Sequence, residues 1–161
     1  MEQYLEEIIL SIHRIESLNS LSRVFDLIHL HYSTKNIPQY FLDLDEVYES
    51  QGDLYLIIMS YLFSLFDPSG INIAELSNAP IGETAKRELE KIIEVWHPLC
   101  KPLTRIRHNL GFHGGKQKQT INAIKALEEI DKNQLIPKIV ALMKILSSFS
   151  ETLKKEFNIK T

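Results

Sequence analysis

The stretch LYLIIMSYLFSLF, residues 54–66, constrains the fold more than any other part of the chain. Its thirteen residues carry no charge and are apolar nearly all round. A span of that length is too short to cross a bilayer. A helix that is apolar on every side belongs at the centre of a bundle, with other helices packed around it.

The remaining sequence supplies those helices. In residues 2–18, Leu5, Ile8, Ile9, Ile12 and Ile15 recur at three- and four-residue steps, the period of one helix face. Asn19 and Ser20 interrupt this pattern and either can cap the next helix, expected from Leu21 to Tyr32. There Val24, Phe25, Ile28 and Tyr32 share a side. STKNIPQ is a loop, a short helix is expected at 40–49, and QGD is a further break before Asp53 caps the central helix. DPSG at 67–70 ends that helix, and 71–82 reads as a loop with one helical turn. A charged helix follows at 83–96. Pro98 and Pro102 restrict the backbone before helix resumes to about Leu110. Helices are expected again at 119–131 and 134–157, with Pro137 in the first turn of the last. Strand-type alternation is absent from the sequence. The expectation is one all-α domain over 1–161, an up-and-down bundle of roughly five to seven helices.

A chain of 161 residues can hold one core without covalent staples. Cys100 is the single cysteine, which excludes an intramolecular disulfide framework and fits a reducing, cytoplasmic setting. MEQYLEEIIL is acidic and lacks the basic region of a signal peptide, and no membrane partner is expected.

The net charge of −3 conceals an asymmetry. Residues 1–94 carry sixteen acidic and six basic side chains. Residues 95–127 carry Lys101, Arg105, Arg107, Lys116, Lys118 and Lys125, and no acid. Within them, RIRHNLGFHGGKQKQ at 105–119 surrounds three glycines with cations and histidines. The whole chain is not a basic nucleic-acid binder, but this segment has the composition of one.

Three readings are open. The cations and glycines can serve a helix C-terminus, where positive charge meets the dipole and glycine caps the last turn. That accounts for one or two basic groups, not six. His97, Cys100, His108 and His113 can instead ligate zinc, although one thiolate among cations is a poor site for a dication. The third reading is acid–base chemistry on a phosphodiester. His113 titrates near neutral pH, and the donor fork of Arg107 matches phosphate oxygens. Six residues do not place the two on one helix face. They meet only where the helix ends or distorts near Gly111, or where two copies of the site face each other.

RHNLGFH, Arg107 to His113, resembles the signature of the HEPN superfamily (higher eukaryotes and prokaryotes nucleotide-binding). That signature is an arginine, a polar residue and, after a short interval, a histidine. Here five residues separate the ends, and His108 fills the polar position where the family more often has Asn. YLFSLFDPSGINIAEL at 61–76 looks like the apolar helix and turn before the motif helix in abortive-infection branches, and WHPLCKPLTRIRHNLGFH looks like the motif helix. The likeness covers about 61–127. Arg23 and His29 repeat the same spacing, but Val24 follows the arginine and the segment is an amphipathic helix among acids, so these two read as structural.

The resemblance implies a helical bundle and, for many members, a homodimer in which two motifs form one cleft. It implies metal-independent RNA cleavage, with no cofactor, through attack of a ribose 2′-OH on the adjacent phosphate. Arg107 then neutralises the phosphate and His113 is the general acid–base group or a second phosphate ligand. His108 and Asn109 orient them, and Arg105, Lys116 and Lys118 hold flanking phosphates. A toxin or phage-defence setting, with an antitoxin or nucleotidyltransferase partner, belongs to the same expectation. The competing classes are a non-catalytic HEPN-like module that binds nucleotides, RNA or protein, and a purely structural helical protein. A cleavage product separates the first class from the others.

Overall fold

The computed structural model describes residues 2–33, 57–110, 125, 128–130 and 135–160. Helix α1 spans Glu2–Ser33. Helix α2 is described over 57–64, and a 3-10 helix follows at Ile73–Asn78. Helix α3 spans Glu83–Leu110, α4 is described at 128–130, and α5 spans Ile136–Phe157. Among the described residues there is no strand, only an isolated bridge between Phe66 and Asn72. The protein is an all-α helical bundle, and no described helix is long and apolar enough to cross a membrane.

The core follows from helical spacing. In α3, Ala85, Leu89, Ile92, Trp96, Leu99, Leu103 and Ile106 are buried at alternating steps of four and three. In α5, Ile139, Leu142, Leu146, Phe149 and Leu153 follow the same alternation. A seam of that period keeps one face of a helix on its neighbour, as in bundles packed near parallel or antiparallel. Ile8, Ile12, Ile15 and Leu18 form the buried stripe of α1. Ile58, Met59, Leu62 and Phe63 of α2 are buried in the same core cluster as these stripes, so the described part of the uncharged run belongs to the core.

Polar ties between helices set their directions. Asn19 Nδ2 donates to Ser147 Oγ at 2.8 Å, and Lys154 pairs with Glu16. As numbering rises in α1 it falls in α5, so the two run antiparallel. Ser148 Oγ donates to Glu88 at 2.5 Å and Gly82 N–H donates to Glu156, so α3 also runs antiparallel to α5. Pro137 lies in the first turn of α5, as expected. Asn158 ends α5 in the left-handed conformation, and its N–H bonds the Lys154 carbonyl.

Several boundaries differ from expectation. Helix α1 continues through Asn19 and Ser20. Asn19 finds Ser147 across the bundle, and Leu18 on one side and Leu21 on the other stay packed, so burial holds the turn that local preference would break. Leu5 is exposed instead of in the stripe, because α1 turns that position away from the core. Helix α3 runs unbroken through Pro98 and Pro102. An interior proline costs about 3 kcal/mol, whereas each fully buried large apolar side chain contributes about 1.5–3 kcal/mol. Trp96, Leu99, Leu103 and Ile106 are buried across the same turns and outweigh the two prolines. The carbonyl freed by Pro98 belongs to exposed Glu94, where water can bond it. His97 therefore sits within a continuous helix, on its exposed face. Helix α2 stops at 64, two residues short of the expected end. The expected helix at 40–49 and the Asp53 cap lie outside the described residues, as does most of 119–131, whose described positions are helical.

Candidate functional site

The site grows from the end of α2. Leu65 N–H bonds Leu62 O at 3.3 Å and Phe66 N–H bonds Phe63 O at 2.9 Å, which tightens the last turn. Pro68 then prevents further helix. Asp67 folds the chain back on itself. Its Oδ1 accepts the Ser69 N–H at 3.0 Å and the Ser69 hydroxyl at 2.8 Å, while its carbonyl accepts Gly70 N–H at 3.0 Å. This is the local bonding that aspartate offers a turn. The 3-10 helix then docks through Ile73 N–H to Leu65 O at 2.9 Å. Asn72 caps it by accepting Ala74 N–H at 3.3 Å.

Three aromatic rings join this turn to α3. Phe66 stacks on Trp96 with centroids 4.1 Å apart, and Phe63 meets Trp96 edge-on at 6.1 Å. Trp96 is thus a core residue. Eleven residues are close to three full helical turns, so Arg107 projects from nearly the same side of α3 as Trp96. Helical side chains lean toward the N-terminus, which carries Arg107 back over the rings. Its Cζ lies 4.7 Å from the centroid of Phe63, and its Nη1 pairs with Asp67 Oδ2. The carboxylate has one oxygen on Ser69 and the other on Arg107.

Burial differs across this pair. The Asp67 side chain is 15% exposed and the Arg107 side chain 38%. The Ser69 N–H and hydroxyl, followed by the Arg107 guanidinium, hold the Asp67 carboxyl down at about 2. It is ionised throughout the physiological range.

The other expected site residues scatter. Arg105, two positions before Arg107, points to a different side of α3 and pairs with Glu129 of α4. His108 is exposed in the last turn of α3, and Asn109 lies in that turn with its side chain outside the described residues. His113, Lys116 and Lys118 lie outside them entirely, as do Gly111, Gly114 and Gly115. Arg23 is exposed on α1, and the side chain of His29 is not described. Among the described residues no three His, Cys, Asp or Glu side chains are placed to hold a metal ion; His97, Cys100 and His108 are all exposed.

Asp67, Ser69 and Phe63 are absent from the sequence-based site. A signal was present. Asp67 is the one acid between residues 54 and 74, and it opens a turn in a chain whose later basic stretch lacks counter-charge. The structure places acids from elsewhere beside two cations of that stretch, Asp67 at Arg107 and Glu129 at Arg105. No protein-family model, curated protein or solved structure matches the chain.

Proposed function

We propose that the protein is a metal-independent endoribonuclease of the HEPN type, acting in a toxin or defence setting, with its site completed at a homodimer interface. The observation that carries this reading is the setting of Arg107. A guanidinium at the end of a long helix rests on an aromatic ring, is held by a fixed carboxylate and stays more than one-third exposed. A guanidinium so placed offers directed donors to a phosphate. In the proposed reaction, His113 accepts the proton of a ribose 2′-OH. The 2′ oxygen attacks the adjacent phosphorus, and the bond to the 5′ oxygen breaks. The leaving oxygen takes that proton back from His113, and the products are a 2′,3′-cyclic phosphate and a 5′-OH. Arg107 stabilises the charge that builds on the phosphoryl oxygens. His108 and Asn109 orient the pair, and Lys116 and Lys118 bind neighbouring phosphates.

One observation favours the alternative, a non-catalytic HEPN-like module that binds a nucleotide, RNA or protein. Both Arg105 and Arg107 face carboxylates, which lowers the positive potential a long RNA would meet. One experiment decides between the two. Wild type and Arg107→Ala are incubated with a panel of RNAs in EDTA, and products are read for a 2′,3′-cyclic end. Cleavage by the wild type alone supports the ribonuclease. Binding without cleavage above the variant supports the module. Light scattering at micromolar concentration tests the dimer, and a strict monomer removes the composite cleft.

A further inference from the structure

The ribonuclease reading leaves open why an arginine meant for phosphate is bonded to a carboxylate. A mobile arginine loses about 2 kcal/mol of rotamer freedom when it is fixed, and that loss falls on whichever step fixes it. In the free protein Arg107 already has a partner on two sides. Its guanidinium carbon lies over the Phe63 ring, and Nη1 is on Asp67. Asp67 is itself held, by two bonds from Ser69 to its other oxygen and by the turn that Gly70 N–H closes. The carboxylate is more buried than the guanidinium, so the pair is anchored from the protein side and open on the solvent side. A guanidinium has five N–H donors, and one ion pair does not exhaust them.

We infer that Asp67 is a positioning residue for Arg107. Seated in the Ser69 turn, it aims the guanidinium so that its outward donors meet the scissile phosphate in one orientation. The inference rests on the proposed ribonuclease function. It also has an electrostatic consequence. The Asp67 charge lies beside the place where an anionic substrate sits, so it opposes ground-state binding while it improves the geometry of the reacting complex.

The test uses the full-length protein as wild type, Asp67→Asn and Ser69→Ala. The first readout is the rotation rate of the Arg107 guanidinium by nitrogen-15 NMR, with its signal identified through Arg107→Lys. The second is kcat and KM on a labelled RNA oligonucleotide. Asp67→Asn should speed the rotation and lower kcat on the order of 10–100-fold, with KM unchanged or reduced. Ser69→Ala should shift both in the same sense by less. A kcat equal to or above wild type in Asp67→Asn overturns the inference, because Asp67 would then be a restraint on activity. Unchanged rotation overturns it as well. If the wild type cleaves no RNA, the ribonuclease reading fails, and the rotation rate alone decides whether Asp67 fixes Arg107.

Discussion

Two of the charge clusters that join the described helices differ in what they leave open. Lys154 on α5 lies between Glu151 of its own helix, at 2.8 Å, and Glu16 of α1. It is 16% exposed, and the bond to Glu151, followed by that to Glu16, raises its pKa above the usual lysine value. Two carboxylates enclose Lys154, which leaves little of the cation open to a phosphate. At the end of α3, Arg107 has one carboxylate, an aromatic ring below it and an exposed outer side. The first arrangement joins helices. The second presents a cation in a fixed pose. Ion pairing alone does not separate structure from function; the exposure of the cation does.

The largest expected difference between the clusters is kinetic. Arg107→Ala and His113→Ala should each lower RNA cleavage by about 10²–10⁴-fold, with unchanged helical circular dichroism. Lys154→Met should leave kcat within error of wild type, as should Arg23→Ala. Loss of cleavage in Lys154→Met at a temperature where it is fully folded breaks the contrast.

Stability should show the reverse order. Lys154→Met leaves Glu16 and Glu151 without their shared cation, and should cost about 1–2 kcal/mol in urea unfolding. Arg107→Ala should cost about 1 kcal/mol or less, because solvent already screens its outer side. A larger loss in Arg107→Ala makes Arg107 a structural residue first.

The clusters should also come apart at opposite ends of the pH scale. The Asp67 carboxyl lies at about 2, below its ordinary 3.8. Its stabilisation is complete above 3.8 and is lost as the pH falls toward 2. The loss should amount to roughly 1–2 kcal/mol and should vanish in Asp67→Asn. Lys154 has a raised value, so its stabilisation is complete below its ordinary 10.5 and is lost as the pH rises past it. Acid titration of unfolding that is identical in wild type and Asp67→Asn rules out this account. The smallest effect concerns a neutral tie. Asn19→Ala removes the bond to Ser147 and should cost about 0.5–1.5 kcal/mol, read as a lower urea midpoint with no change in cleavage.

The sequence by itself determined the helical class, the burial of the uncharged run over its described residues and the start of α5 beside Pro137. These depend on the spacing of apolar side chains and on proline's missing N–H, which are local properties of the chain. It also singled out Arg107 as the cation to follow. Tertiary structure decided the rest. Asn19, Pro98 and Pro102 read as breaks because local preference disfavours helix there, and helix persists because residues far along the chain bury the same turns. The pairing of Arg107 with Asp67 spans forty residues. It exists only because the end of α2 and the last turns of α3 meet over Phe63 and Trp96, and helical periodicity fixes the face of a residue without fixing what that face will meet.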